Sequence, residues 1–347
     1  ASLNLLCAVF LFSTGDRLQP VIKKPLFTIG AVLIIALNFF IPKDLIDSFF
    51  MRDSSGRQDV TKLIYFDEGL TDTVAIFKDK FGILDPEAKR LITNGISMSA
   101  SNMTATKYMK MLAHVPIILR DNPKDVLVIC FGTGQTVGAA GIHPEVEKID
   151  AVELSPGGIN SGKVFAKENH NALENPKINI VFQDGRNHLL MTGKSYDVIT
   201  AEPPPPRTAF TVNLYTREYY ELAKKRIKPG GIVAQWIPLH SQSAEEVKRH
   251  FKTFRDVFPH SIAWMSVAKE ILIIGSDQPI EIDFEKVKNR LANPKLETAF
   301  KELEIDNPYA FLSSIWMFED GIDKLAMGRP IISDNHPSIE FYLDFPD

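Results

Sequence analysis

The sequence predicts an α/β fold. A mostly parallel sheet is covered by helices on both faces, a small antiparallel β unit precedes it, and two transmembrane helices precede that unit. Three observations carry the prediction. From Asp125 onward, apolar strand-like runs alternate with helical segments, the pattern of parallel strands joined by crossovers. Before that, YFDEGLTDTVAIFKD and KRLITNGISMSA are strand-like runs broken by Asp/Gly and Asn-Gly turns, which reads as hairpins. Residues 1–15 and 25–42 contain no charged residue, and a bilayer span needs about 20 apolar residues, with a lower limit near 17.

In chain order, residues 1–45 are expected to form a transmembrane helical hairpin. All-round apolarity is what lipid demands, whereas a globular helix keeps a polar face. The link between the two runs carries Arg17, Lys23 and Lys24 against Asp16; taken alone, the positive-inside rule would put that link in the cytoplasm and the soluble part on the opposite face, a count that upstream segments would change. The chain starts directly in apolar residues without Met, so further membrane segments are expected upstream. The expected location is the inner (plasma) membrane, with the soluble part in the cytoplasm.

Residues 60–103 form the small β domain and 104–280 the sheet domain, with a helix at its start over 104–120. DVLVICF, KIDAVELS, KINIVFQD, YDVITAEP and GGIVAQWIP are its strands. GTGQTVGAAG, SGKVFAKENHNA, REYYELAKKRIK and AEEVKRHFKTFRDVF supply the intervening turns and helices, and SIAWMSV with EILIIGS forms a closing hairpin. Residues 281–347 read as a helical, Pro-containing extension.

Composition narrows the function. Lys+Arg number 39 against 43 Asp+Glu, a formal charge of −4, so nucleic-acid binding through bulk positive charge is excluded. Cys7 and Cys130 are the two cysteines and cannot build a disulfide framework. None of the eight histidines pairs at HxH or HxxxH spacing, so no metal is expected.

The candidate site lies at the strand ends. Gly132, Gly134 and Gly138 follow the first parallel strand as GTGQTVG, a turn that lets backbone approach a ligand. Glu153 ends the second strand, 19 residues beyond Gly134, where a carboxylate accepts from both ribose hydroxyls. Asp184-Gly185 follows the third, where a carboxylate can accept from an adenine amine. Together they predict an adenosine site.

VLVICFGTG, IDAVELSP, VFQDGRNHLL, YDVITAEPPPP and LYTREYYELAKKRIKPGGIVAQW together resemble the polyamine aminopropyltransferases, the spermidine synthase family. The likeness is greatest to its membrane-fused bacterial branch. It covers roughly residues 60–280, and the tail ISDNHPSIEF, with Asp334 and Glu340, is similar to the end of that branch. It implies a Rossmann-like class I methyltransferase sheet and, as co-substrate, decarboxylated S-adenosylmethionine or S-adenosylmethionine. Glu153 would hold the ribose, Asp184 with Gly185 the adenine, and the Gly132–Gly134 turn the methionine part. Tyr215 matches a family aromatic near the active site.

Departures cluster at the reacting end. Where the family grips the cationic end of the nucleotide with Asp, this chain has Gln135. A family Asp and Gln fall on Asn94 and Met98, and the gate's Asp-Glu pair falls on Thr104 and Ala105. Of two Asp residues three apart after the fourth strand, Glu202 takes the first position and Pro205 the second. A polyamine carries at least two positive charges and needs carboxylates in a dry site, so the acceptor is expected to be less cationic. Glu202 is the expected acid–base or acceptor-orienting group. The partner is then a small-molecule or protein amine. Two other readings stay open: methyl transfer, with Glu202-Pro203-Pro204 orienting the amine, or an inactive structural subunit of a membrane protein complex.

Overall fold

In the computed structural model, the described residues are 61–69, 72–79, 85, 87–206, 208–240 and 242–340, with Val32 besides. Apart from Val32, the predicted membrane hairpin over 1–45 lies outside them. No described helix is long and apolar enough to cross a membrane.

Two hairpins build the N-terminal β unit. Strands β1 (Thr61–Glu68), β2 (Thr73–Asp79), β3 (Lys89–Thr93) and β4 (Ile96–Ala100) form a four-stranded sheet in that order. Asn94 and Gly95, both at positive φ, make the β3–β4 turn, as the Asn-Gly pair requires. The buried Val74, Ile76 and Leu91 close this sheet on Phe165.

The main sheet has eight strands. Helix α1 (Met103–Leu119) starts where the Asn102 side chain accepts from the Ala105 amide, a standard N-cap. Then come β5 (Asp125–Ile129), α2 (Gln135–Gly141), β6 (Lys148–Glu153), α3 (Pro156–Ser161), β7 (Ile178–Phe182), α4 (Gly185–Met191) and β8 (Tyr196–Ala201). They are followed by α5 (Arg217–Arg226), β9 (Ile227–Pro238), α6 (Ala244–Val257), β10 (His260–Val267) and β11 (Glu270–Ser276). The strand order is β12-β10-β11-β9-β8-β5-β6-β7, where β12 is Ile315–Met317. Pairing is parallel from β9 through β8, β5 and β6 to β7, and antiparallel among β9, β11, β10 and β12.

Leaving β5, the chain winds through β6 to β7 on one side and returns to β8 on the other. The β5/β8 crevice is therefore the switch point, where ligands of such sheets bind beyond the carboxyl ends. Hydrophobic cores fill both faces. Tyr219, Tyr220, Phe251 and Phe254 of α5 and α6 pack on one; α1 and α2 pack on the other through Ala113, Ile117, Val137 and Ala140.

One expectation is corrected. SGKVFAKENHNA is not one helix. It is the end of α3, a 3-10 turn at Gly162–Phe165, irregular turns and a second 3-10 turn at Ala172–Glu174. His170 and Asn171 there adopt positive φ, which no helix accommodates. The segment after residue 280 holds α7 (Phe284–Leu291), α8 (Pro294–Glu302), α9 (Pro308–Leu312) and α10 (Glu319–Ala326). It also contributes β12 to the sheet, and Val287, Leu296, Phe300 and Phe311 join α1, Trp236 and Trp264 in one core. Residues Lys62–Asp347 are one unit.

Candidate active site

Local backbone geometry at the end of β5 sets the floor of the site. Cys130, Gly132 and Gly134 all have positive φ, at 71°, 53° and 78°, so the chain reverses sharply before α2. A Cβ on Gly134 would sit 2.6 Å from the Phe131 ring, and one on Gly138 1.9 Å from the Asn169 carbonyl oxygen. These two glycines serve close packing, whereas Gly132 borders open space. Asn169 pins the turn, donating its amide to the Thr133 and Gly162 carbonyls at 3.0 and 2.8 Å.

Glu153 and Asp184 stand at the ends of the next two strands. Glu153 accepts from the Phe131 amide at 2.9 Å and from the Ser155 amide at 3.0 Å, so it ties the glycine turn to its own strand end. Burial pushes its carboxyl up, while the backbone amides of Ser155, Phe131, Leu154 and Gly132 pull the other way. Asp184 caps α4 by accepting from the Asn187 amide at 2.8 Å. Gly185 is small because a Cβ there would meet Ile129 Cγ2 at 2.4 Å.

A cavity of about 740 Å³ opens above these strand ends. Gly132, Glu153, Asp184, Gly185 and Glu202 all line it. Leu91, Asn94, Met98 and Ser99 of the β unit roof it, and the Thr208–Leu214 loop with Asp334 forms the outer wall. The sequence-predicted residues thus converge, with three exceptions. Gly134 lies in the turn below the lining. Gln135 is fully buried behind Thr133 and Met109, its amide nitrogen donating to the Ala100 carbonyl at 3.0 Å and contacting Thr133 Oγ1 at 3.1 Å. Its side-chain oxygen has no partner. Tyr215 is also fully buried and does not line the cavity. Its hydroxyl instead donates to the carbonyls of Pro203 and Pro204, each at 3.4 Å, and those two prolines do line it.

Glu202 occupies the inner end. It follows β8, and its amide donates to the Ile129 carbonyl at 3.3 Å, which fixes it across the β5/β8 crevice. Its carboxyl accepts from Thr136 Oγ1 at 3.3 Å and from the Tyr108 hydroxyl. Burial pushes that carboxyl up to about 8 despite both hydrogen bonds, and the negative charge of Glu270 adds to the rise. A group poised there can exchange a proton near neutral pH.

Several residues of this end were not anticipated. The Tyr108 ring stacks on Trp236, with centroids 5.9 Å apart and planes at 14°. Trp236 lines the cavity and donates its indole N–H to Glu270 at 2.8 Å. His240 lies 3.4 Å from the other Glu270 oxygen. Tyr108, Trp236 and Glu270 come from α1, β9 and β11, so no spacing in the sequence joins them. Arg186 on the outer wall pairs with Asp334 through two hydrogen bonds, one at 2.8 Å. It also reaches the Asn213 carbonyl and Thr216 Oγ1. Glu340 accepts from the Phe210 amide at 2.6 Å. The tail motif singled out in the sequence therefore straps the outer loop. Among the described residues, no group of three or more His, Cys, Asp or Glu side chains could hold a metal ion.

The strand order, the β-unit roof and the switch-point cavity define a Rossmann-like α/β protein of the spermidine synthase fold. Residues 105–276 match the sequence family described as the spermine/spermidine synthase domain. The chain is 27% identical to the polyamine aminopropyltransferase of Methanocaldococcus jannaschii, over 62% of this chain and 76% of that one. It is 28% identical to the spermidine synthase of Dictyostelium discoideum, over 54% of this chain and 63% of that one. A crystal structure of spermidine synthase in complex with the transition state analogue AdoDATO superposes with a TM-score of 0.62 at 22% identity, covering 76% of this chain and 88% of that one.

Proposed function

We propose that this chain binds decarboxylated S-adenosylmethionine, or S-adenosylmethionine itself, and transfers the aminopropyl group of the former to an amine. The observation that carries the reading is a half-buried carboxyl, Glu202, held by Thr136 and Tyr108 in a cavity whose floor is the glycine turn and whose strand ends carry Glu153 and Asp184. In the transfer, the amine nitrogen forms a bond to the aminopropyl carbon beside the sulfonium. The carbon–sulfur bond breaks, its electron pair stays on sulfur to leave methylthioadenosine, and the amine proton passes to the Glu202 carboxylate. The sulfonium charge favours that carboxylate form when the donor is bound.

Similarity to enzymes named polyamine aminopropyltransferase supports an amine acceptor. Aminopropyl transfer is favoured over methyl transfer because Tyr215 already engages the Pro203 and Pro204 carbonyls that would otherwise orient a methyl-accepting amine. The uncharged runs at 1–15 and 25–42 support an anchor in the inner membrane, with the synthase-like domain on the cytoplasmic side, as in a membrane-fused branch of the family. Calorimetric titration of the full chain with methylthioadenosine tests the reading. Micromolar binding is expected, as is aminopropyl transfer from the decarboxylated donor. No binding to the folded protein would refute it and favour a structural subunit.

A further inference from the structure

The cavity lining limits the charge of the acceptor. Among the described residues, the carboxylates that line it are Asp72, Glu153, Asp184, Glu202 and Asp334. Glu153 and Asp184 are held by backbone amides at the strand ends, and Asp334 is neutralised by Arg186. Asp72 stands at the turn end of the roof, beside the residue whose amide is held by Asn94. Ser99, at the other end, is registered through Leu91 to Ile76, four positions beyond Asp72. At ~3.3 Å per residue that is about 13 Å of strand, beyond the span of a short diamine. Ser99 Oγ lies 2.9 Å from Met109 Sδ, and the Met109 carbonyl accepts from Thr136, the residue that also holds Glu202. The inner end is therefore Glu202 among Met98, Met109, Trp236, Pro203 and Pro204.

A second carboxylate, Glu270, is close by but closed off. It does not line the cavity; Trp236, which does line it, donates its indole N–H to Glu270, and His240 faces the other oxygen. A second ammonium brought beside Glu202 would thus be buried against thioethers and an indole without a counter-charge, which is strongly unfavourable. We infer that Trp236 makes this a site for primary amines carrying one positive charge and an apolar body, received, among the described residues, by the Glu202 carboxylate. This rests on the proposed amine-acceptor reading and narrows its substrate class.

n-Pentylamine and 1,5-diaminopentane, equal in length and different by one ammonium, provide the test. Each is titrated calorimetrically into the full chain, with and without methylthioadenosine. The monoamine is expected to bind at least ~10-fold tighter, the scale of one unpaired buried charge. Equal or tighter binding of the diamine overturns the inference, as does binding of neither amine. The nucleoside reading is judged separately, by the methylthioadenosine titration alone. Trp236→Ala should expose Glu270 and bring the diamine within about threefold of the monoamine, the ammonium then finding a partner. Should that variant misfold, Glu270→Gln is the second probe: an unchanged affinity ratio is expected, and a selective loss of diamine binding overturns the role of Trp236.

Discussion

The two ends of the cavity are built by different means. At the nucleoside end, each functional side chain is the last residue of a strand or the second after it, and each is locked by backbone amides: Glu153 by Phe131 and Ser155, Asp184 by Asn187. At the acceptor end, Glu202 is held only by the hydroxyls of Thr136 and Tyr108, and its neighbours come from helices and strands far apart in the chain. Backbone-locked groups are fixed in position and charge. Side-chain-held groups can change both, and a proton-transfer residue needs that freedom.

Replacing Glu202 separates the ends most sharply. Glu202→Gln keeps the shape and removes the base, so turnover should fall by about 10²–10⁴-fold, the range for a lost general base. Methylthioadenosine affinity should stay within about twofold, since no contact at the strand ends changes. A parallel loss of binding would show the two ends to be one coupled site. The reciprocal change, Glu153→Ala, removes the acceptor of two backbone amides. At ~1.5–3 kcal/mol for a hydrogen bond to a charged group, nucleoside binding should weaken about 100-fold. The thermal midpoint should drop as well, because the Phe131 and Ser155 amides lose their partner. Glu153→Gln, which keeps one carbonyl oxygen, should recover part of the stability and little of the binding.

The pH profile of turnover addresses the acceptor end alone. The Glu202 carboxyl titrates near 8 in the free protein, and kcat/KM reports groups of the free enzyme. It should therefore rise with pH and level off above about 8. A flat profile from pH 6 to 9 would remove Glu202 as the base. A smaller effect is expected at the outer wall, where Asp334 and Glu340 strap the 208–214 loop. Arg186 holds the Asp334 carboxyl below its usual range. Asp334→Ala should raise KM several-fold with little change in kcat, since the loop bounds the cavity and touches none of the reacting atoms.

How much of this was legible in the sequence follows the same division. The β5, β6 and β8 ends announce themselves, because a buried strand is a continuous apolar run and its functional residue ends it or comes directly after it. The glycine turn was readable for the same reason. Gln135 shows the limit: it follows the turn in sequence, yet as the first residue of α2 it points back at Ala100 and Thr133. Tyr215 was placed in the right neighbourhood but acts from behind Pro203 and Pro204. Tyr108, Trp236 and Glu270 carry no local signal. Their meeting depends on α1 crossing the sheet and on β11 pairing beside β9, which periodicity does not encode. The broken helix after α3 was misread because its apolar residues keep helical spacing while His170 and Asn171 leave helical φ.

Stability against pH gives the last contrast, with opposite signs for Glu202 and for a buried histidine pair outside the cavity lining. His114 on α1 and His143 just after α2 are fully buried and share one hydrogen bond at 2.9 Å. Burial holds both below the usual histidine value. The charges of His143, Lys110 and His170 deepen this for His114, while Glu145 opposes it for His143. The folded protein keeps both rings neutral, whereas the unfolded chain takes up protons below about 6.5, so the pair lowers stability as pH falls through that value. Glu202 does the reverse. Its folded carboxyl is raised to about 8, the folded state holds the extra proton between about 4.5 and 8, and stability falls as pH rises through that window. Glu202→Gln should then lift the thermal midpoint at pH 8–9 and leave it nearly unchanged at pH 5, while His114→Asn should flatten the acid limb and leave the alkaline one. If one substitution moved both limbs, the histidine pair and Glu202 would be linked through α1, which carries both His114 and Tyr108, and the two limbs would not report separate groups.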